Sequence, residues 1–141
     1  MLTKKAKYAL NALVFIAGSP EKRVWRSEEI SLENHIPRKF LESILTDLTK
    51  VGILGSKKGK SGGYYFLKNP SEVLLVDVIR LFDGAIGLIP CVTYQFFEPC
   101  EECLDPNTCK IRWAFKELRD LSVEYLKNKS ISDLLEVSTV L

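Results

Sequence analysis

The feature that most constrains the fold is a basic amphipathic helix followed at once by a glycine-rich hairpin, between Ile36 and Phe66. Pro37 suits the first turn of a helix, and Gly52 follows the last apolar position, as a C-terminal cap does. Between them, apolar residues recur at steps of three and four, which places them on one helical face: Phe40, Leu41, Ile44, Leu45, Leu48 and Val51. We therefore expect a helix over 37–51, with a basic outer face.

After Gly52 the pattern changes to that of a β-hairpin. Residues 53–54 and 64–67 read as two short strands, and 56–63 as the polar loop between them. Residues 57–63 hold three lysines and three glycines; glycine allows close approach to a phosphate, and lysine replaces the counterions that phosphates release. A solvated turn is the alternative for such a loop. Its position directly behind a basic helix favours contact with DNA.

The residues before this stretch complete a helix-turn-helix. Thr3 is a candidate N-cap for a first apolar helix that ends near 18–20. Residues 24–26 are predicted to pair with the hairpin, and 27–34 form a second helix, separated by a turn at 35–37 from the helix already described. The predicted fold class is therefore mainly α with a small β-hairpin wing, a winged helix-turn-helix. Its expected extent is 1–84.

The remaining residues divide into a loop and a long helix. A helix over 71–82 closes the first unit, and 85–109 has no clear period and contains all four cysteines. A long helix from 109 or 110 to 128 has a broad apolar face and resembles a dimerisation helix, although packing on its own domain is the alternative. A short helix over 130–135 and a tail over 136–141 follow. The expected units are a sensor loop, 85–109, and a dimerisation helix with its tail, 110–141.

Charge is unevenly distributed along the chain. Residues 1–68 carry 13 Lys and Arg against 6 Asp and Glu, whereas 69–141 carry 7 against 12. A basic half joined to an acidic half suggests a polyanion-binding module on a regulatory one. No apolar run is long enough to span a membrane, and we expect a cytoplasmic protein. A single histidine and the lack of paired carboxylates or a Ser/His/Asp set argue against an enzyme.

The four cysteines, Cys91, Cys100, Cys103 and Cys109, lie in one short polar loop. In a reducing compartment they are expected to be metal ligands or redox-active thiols rather than disulfides. Three interpretations are open: an iron–sulfur cluster, a zinc site, or a metal-free thiol switch. Core packing is disfavoured because acidic residues surround them; those carboxylates raise thiol pKa values, which argues mildly against a bare reactive thiol. Trp25 and Trp113 are predicted to be core residues, and His35 a surface or phosphate contact.

Over about residues 1–135 the chain resembles the IscR/NsrR/CymR family of bacterial winged-helix transcriptional regulators. The matching pieces are Tyr8-Ala9-Leu10, Ile36-Pro37, Phe40-Leu41-Glu42, Ile44-Leu45, Gly59 with Gly62-Gly63-Tyr64, Asp77-Val78-Ile79, Asp83-Gly84, and the cysteine loop ahead of Trp113. The resemblance implies a homodimer that binds double-stranded DNA at a palindromic operator. In many members the loop senses iron–sulfur status, nitric oxide or redox state.

The resemblance also implies site residues for DNA. Groove-reading positions fall on Lys39, Glu42 and Ser43, and we add Arg38 to this major-groove set. Glu42 can accept a hydrogen bond from a cytosine amino group. The wing residues expected at the minor groove are Lys57, Lys58, Gly59, Lys60, Ser61 and Gly62. Many relatives place an arginine where this chain has Lys58, and lysine holds a less rigid geometry.

For the cysteines, the resemblance favours a [2Fe-2S] or [4Fe-4S] cluster over zinc, with a thiol switch third. Cys91, Cys103 and Cys109 match the family's three cysteines, and Cys100 is an addition. Arg112 stands where some relatives have a histidine ligand and cannot bind a metal because it stays protonated. Cys100 could then supply the fourth ligand. A rival interpretation is a redox or cluster-carrying protein whose basic half holds an acidic protein partner.

Overall fold

The computed structural model describes residues 2–137 of the chain; residue 1 and most of the tail expected over 136–141 lie outside the described residues. The structure is mainly helical with one two-stranded antiparallel sheet, as predicted. The elements are α1 (Lys4–Ala17), α2 (Ser27–Asn34), α3 (Arg38–Lys50), β1 (Leu54–Lys57), β2 (Gly63–Phe66), α4 (Leu75–Asp83), α5 (Lys110–Lys127) and α6 (Ile131–Leu135).

Helix α1 forms the centre of the N-terminal body. Its first turn is capped by the Thr3 hydroxyl, which accepts from the Ala6 amide at 3.2 Å, so the predicted N-cap is confirmed. Its inner face packs against α2, α3, α4 and α6. The fully buried side chains around it form one core: Leu13, Ile30, Ile36, Leu41, Ile44, Leu45, Leu48, Leu54, Val78 and Ile131.

Helices α2 and α3 form the predicted helix-turn-helix. The bounds of α2 match the expectation, and α3 begins one residue after Pro37, which is its N-cap residue. Between them His35 adopts a left-handed backbone conformation, with φ of 52°. His35 is exposed, and Ile36 beside it is buried. This turn fixes the angle at which α3 leaves the body.

The hairpin follows α3 directly. Its register pairs Leu54 with Phe66 and Lys57 with Gly63, so β1 extends through Lys57, three residues beyond the predicted strand. Trp25 exchanges two backbone hydrogen bonds with Tyr64, at 2.8 and 2.7 Å, as a single antiparallel bridge. The predicted pairing of 24–26 with the hairpin is therefore reduced to one residue. Residues 58–62 form the tip.

The helix predicted over 71–82 was wrong at its beginning. A short 3-10 helix covers Pro70–Glu72, and α4 begins only at Leu75. The interruption arises because the backbone here bonds to a distant segment: the Val73 carbonyl accepts from the Ile131 amide, and the Leu75 amide donates to the Lys129 carbonyl, both at 2.9 Å. These contacts fix the C-terminal segment to the body.

After α4 the chain runs irregularly, apart from a 3-10 helix at Pro90–Val92, until α5 begins. Helix α5 contacts α4 and that 3-10 helix along one stripe of half-buried and buried positions: Arg112, Phe115, Arg119, Ser122, Val123 and Leu126. Trp113 lies outside the stripe and is 70% exposed, so the prediction that it is a core residue was wrong. Trp25 is half-buried and packs on Phe15, with ring centroids 4.7 Å apart. Within residues 2–137, the helices are too short or too polar to cross a membrane.

Candidate DNA-binding surface and cysteine loop

The outer face of α3 carries the four residues predicted to read the major groove. Arg38, Lys39 and Ser43 are exposed, and Glu42 is half-buried. The opposite face is buried in the core, which leaves this one free to approach a ligand. Thr46, one turn beyond Glu42, is exposed on the same face. Its position at i+4 could have identified it from the sequence.

Arg38 and Glu42 form an ion pair on this face. Arg38 donates from Nε to Glu42 Oε1 at 3.0 Å, and its Nη1 lies 2.7 Å from Glu28 Oε1. The Ser27 hydroxyl donates to the same Glu42 oxygen at 3.3 Å. The hydrogen bond to Glu42, followed by the charge of Glu28, raises the pKa of Arg38. Within residues 2–137, Lys39 is the cation of this set that forms no ion pair.

The roles of Ser27 and Glu28 could not be read from the sequence. They lie at the start of α2, 15 and 10 residues before their partners on α3. The turn at His35 brings the start of α2 beside the start of α3, and no periodicity reports that approach. Both residues orient Glu42 and Arg38 before any DNA is present.

The predicted wing residues lie together at the hairpin tip. Lys57, Lys58, Gly59, Lys60 and Ser61 are exposed, whereas Gly62 is buried. A Cβ atom on Gly62 would lie 2.2 Å from the Lys57 carbonyl oxygen. Gly59 has φ of +102° with open space around it. The tip thus needs one glycine for space and another for backbone conformation.

The wing is also held to the body. Arg26 donates from its guanidinium to the Lys60 carbonyl, and the neighbouring Trp25 pairs with Tyr64. The backbone amide of Arg26 donates to Glu29 at 2.9 Å, which closes the first turn of α2. This role of Arg26 is not apparent from the sequence. Its contact spans 34 residues and has no local signal.

The four cysteines differ in burial along the loop. Cys91 is buried in the 3-10 helix, Cys100 is exposed, and Cys103 and Cys109 are half-buried. Cys109 is the N-cap residue of α5, and its sulfur accepts from the Arg112 amide at 3.4 Å. The Cys109 sulfur therefore caps the first turn of α5. Within the described residues all four are free thiols.

The four thiols share one neighbourhood. Burial is the main cause that raises the pKa of Cys103, followed by the charges of Cys100, Cys109 and Cys91, and last by Asp105. Of the acidic residues predicted to raise thiol pKa values, Asp105 acts on Cys103.

The donor set fits a sulfur-ligated metal group better than it fits core packing. Four thiols are the ligands that iron–sulfur clusters and structural zinc use. Among residues 2–137, no three His, Cys, Asp or Glu side chains are arranged as a ready metal site. The loop must therefore draw its sulfurs together to bind such a group. Arg112 does not join the donor set; it donates from Nε to the Cys91 carbonyl at 3.0 Å.

The exposed side of α5 carries large apolar residues. Ile111, Leu118, Leu121 and Tyr125 are exposed, together with Trp113. The apolar face predicted from the sequence is thus wider than the part that the body covers. An apolar stripe of this length on one helix is typical of a protein–protein interface.

Comparison with known proteins identifies the family. A family model described as Rrf2, iron-dependent transcriptional regulator, matches residues 2–137. An rrf2-like HTH-type transcriptional regulator of Rhodobacter capsulatus is 36% identical over 138 residues, covering 96% of this chain and 92% of that protein. The HTH-type transcriptional regulator NsrR of Geobacillus kaustophilus is 27% identical, covering 96% and 89%.

A solved structure shares the fold over nearly the whole chain. CymR, the global cysteine regulator of B. subtilis, superposes with a TM-score of 0.78 and 22% identity, covering 98% of each chain. The resemblance noted from the sequence and the predicted winged-helix fold are therefore confirmed. The relatives are transcriptional regulators and not enzymes, which also removes the support for a carrier protein acting through a partner.

Proposed function

Because the chain belongs to the Rrf2 family of transcriptional regulators, we propose that it binds a palindromic operator as a homodimer and that its cysteine loop senses an iron–sulfur cluster, nitric oxide or redox state. The observation that carries the sensing proposal is the presence of four free thiols, Cys91, Cys100, Cys103 and Cys109, in the one loop that leads into α5, with Cys109 as the N-cap residue of that helix. Family membership supports the DNA-binding part.

In this proposal α3 enters the major groove. Lys39 and Ser43 reach phosphates and base edges, and Thr46 extends the same row by one turn. Glu42 has one carboxylate oxygen engaged by Ser27 and Arg38. Its second oxygen remains to accept a hydrogen bond from a cytosine amino group. The contact with Ser27 limits the rotamers of Glu42, which makes its recognition of a base specific.

The wing lies at the neighbouring minor groove. Lys57, Lys58 and Lys60 supply charge there, and the tip around Gly59, Ser61 and Gly62 allows close approach of the backbone. Arg26 fixes the position of the tip relative to α3 through the Lys60 carbonyl. The two reading elements therefore keep a constant spacing, which a two-groove contact requires.

The exposed apolar residues of α5 supply the dimer interface. A palindromic operator needs two recognition helices related by a two-fold axis. Burial of Trp113, Leu121 and Tyr125 against a second copy would remove the largest exposed apolar side chains of this helix from water. Because the cysteine loop ends at the first residue of α5, a change in the loop acts on the same helix.

A cluster bound at Cys91, Cys103, Cys109 and Cys100 would supply iron whose oxidation state and integrity respond to oxygen, nitric oxide and iron supply. If its sulfur turned toward the other thiols to bind such a group, Cys109 would give up its hydrogen bond with the Arg112 amide. Loss of this cap changes the first turn of α5. The effect reaches α3 through α4, which packs between α5 and the body.

Zinc at the same thiols is the second candidate, and a metal-free thiol switch is the third. Cys100 and Cys103 are two residues apart, and the Cys103 amide donates to the Cys100 carbonyl at 3.0 Å. A disulfide between them would be the oxidised state of such a switch.

The test is the visible absorption spectrum of protein purified without oxygen, together with iron, zinc and sulfide analysis. We expect a brown protein with iron and sulfide in similar amounts. Replacing each cysteine by serine then identifies the ligands, and Cys100→Ser decides whether three or four sulfurs are needed. A colourless protein without iron would contradict cluster sensing. The remaining interpretation would be a zinc site if zinc were found, and otherwise the thiol switch.

A further inference from the structure

Helix α5 holds one buried charge, Arg119, which the proposed function does not use. Within this helix, every residue of which the structure describes, Arg119 alone is buried, with 5% of its surface exposed. Its guanidinium donates to the Val92 carbonyl and, at 2.8 Å, to the Tyr94 hydroxyl. It also lies 4.0 Å from the centroid of the Tyr94 ring and pairs with Asp120 at 2.6 Å. A buried guanidinium satisfied in this way is costly to leave unpaired.

A second arginine makes equivalent contacts two turns earlier. Arg112 donates from Nε to the Cys91 carbonyl at 3.0 Å and reaches the Pro106 carbonyl at 3.5 Å. Residues 112 and 119 are seven apart and therefore lie on the same face of the helix. Both guanidinium groups are aimed at the backbone of the cysteine loop. Neither contact could be predicted from spacing, since the partners are 21 and 27 residues away.

The two arginines act on the part of the loop that carries the buried thiol. The carbonyls of Cys91 and Val92 are consecutive, and Arg112 and Arg119 bond one each. The Pro106 carbonyl belongs to the segment just before Cys109. Only a guanidinium offers five donors in a fixed plane, so it can bond several carbonyls at once, as a lysine cannot.

We propose that Arg112 and Arg119 are positioning residues that clamp the Cys91 end of the cysteine loop to α5. The clamp keeps Cys91 buried and makes α5 follow the loop when the state of the thiols changes. This inference rests on the proposed function for its second half, the coupling to DNA binding. Its first half, the clamp, concerns the metal-free protein alone.

The clamp is tested by the reactivity of Cys91. In a Cys100→Ser, Cys103→Ser, Cys109→Ser background, metal-free and reduced, Cys91 is the single thiol that a disulfide reagent can titrate. We expect Arg119→Gln to raise the reaction rate by about tenfold, the factor that loss of one charged hydrogen bond corresponds to. Arg119→Lys should restore part of the protection. Lys127→Gln, an exposed cation on the same helix, is the matched control and should leave the rate unchanged.

Two further variants keep the test decisive if Arg119→Gln does not fold. Tyr94→Phe removes one acceptor of the clamp from an exposed side chain, and Arg112→Gln removes the bond to the Cys91 carbonyl. Each should raise the rate severalfold with an unchanged melting temperature. Rates equal to that of the control in both variants would overturn the clamp.

The coupling is tested on protein with all four cysteines. The operator is first obtained by selection from random double-stranded DNA, and its affinity is measured for the protein as purified without oxygen and after removal of metal or oxidation. In the wild type the two affinities should differ. In Arg112→Gln or Arg119→Lys the ratio should fall toward one, while the affinity in the metal-free reduced state stays within about twofold, since α3 is untouched.

The outcomes separate the two proposals. If the wild-type ratio is already one, the sensing function fails, and the thiol rates still decide the clamp. A second outcome is a large ratio of operator affinities in the wild type that stays unchanged in a variant whose Cys91 has become reactive. The clamp then exists but does not couple the cysteine loop to DNA binding, and the coupling half of the proposal is overturned.

Discussion

The Nε atom of Arg38 lies 3.0 Å from the Oε1 atom of Glu42, one turn further along the recognition helix α3. This contact neutralises an arginine at the position where a free cation would add non-specific attraction to DNA. The same oxygen accepts from Ser27, so the carboxylate is oriented before DNA arrives. Glu42 can therefore act as a specificity residue at little cost in ordering its side chain.

Replacing Glu42 with alanine should relax sequence specificity without weakening DNA binding in general. The carboxylate repels phosphates and offsets the Arg38 charge, so its removal favours non-specific binding. We expect discrimination at one base pair to fall by about 1–3 kcal/mol, the usual size of a base contact. Competition between operators that differ at single positions measures it. An unchanged preference at every position would contradict the assignment of Glu42.

Ser27→Ala gives a matched control for that variant. It removes one partner of the Glu42 carboxylate and leaves the carboxylate itself in place. We expect the same base pair to be affected, by a smaller amount. A change at a different base pair would mean that Ser27 acts by another route.

Replacing Lys58 or Lys60 with alanine should weaken binding about equally for all DNA sequences. A lysine that neutralises a phosphate releases roughly one counterion, so each change should lower the slope of log affinity against log salt by about one. Titrations at several salt concentrations measure the slope. Lys127→Ala, on α5, is the control and should leave it unaltered. Equal slopes for the wing variants and the control would refute the wing assignment.

Gly62→Ala should disable the wing more severely than Gly59→Ala. The first change places a Cβ atom against the Lys57 carbonyl, so the tip must open; the second adds backbone strain only, on the order of 1–3 kcal/mol. We expect operator affinity to fall in the order wild type, Gly59→Ala, Gly62→Ala. Far-UV circular dichroism should be unchanged, because the core lies elsewhere. The reverse order of affinities would contradict the structure of the tip.

Leu121→Asp should convert the dimer to a monomer. Leu121 is 64% exposed in the single chain, so the charge costs the monomer little, but it is expensive inside an apolar interface. Light scattering measures the mass, with Lys127→Gln as the control on the same helix. Operator affinity should drop while binding to an isolated half-site persists. A stable dimer for Leu121→Asp would place the interface elsewhere.

The sequence predicted the elements whose signals are local. The bounds of α2 and α3, the Thr3 cap and the capped helix α6 follow from periodicity and end signals that lie within a few residues. It did not predict the break before Leu75, since the carbonyl and amide groups there bond to residues about 55 positions later. The sequence also led to the wrong prediction that Trp113 is a core residue. Periodicity shows which residues of a helix share an apolar face, but it does not show how much of that face the core covers.

The candidate site also divides into residues that local sequence signals predicted and residues whose contacts are distant in sequence. The residues on the outer face of α3 and at the wing tip were predicted, because they belong to one helix and one hairpin. Their orienting partners, Ser27 and Arg26, were not, since these contacts span 15 and 34 residues. The cysteines were found by type and spacing, whereas the difference in burial between Cys91 and Cys100 required the folded loop.

The central claim is that the state of the cysteine loop controls DNA binding. The most direct measurement is the operator affinity of protein purified without oxygen, before and after removal of metal or oxidation, compared with a variant in which all four cysteines are serine. We predict that the wild-type affinity changes by about tenfold or more, within the usual range of allosteric coupling, and that the variant does not respond. Equal affinities for the wild type in both states, or an equal response in the variant, would contradict the claim.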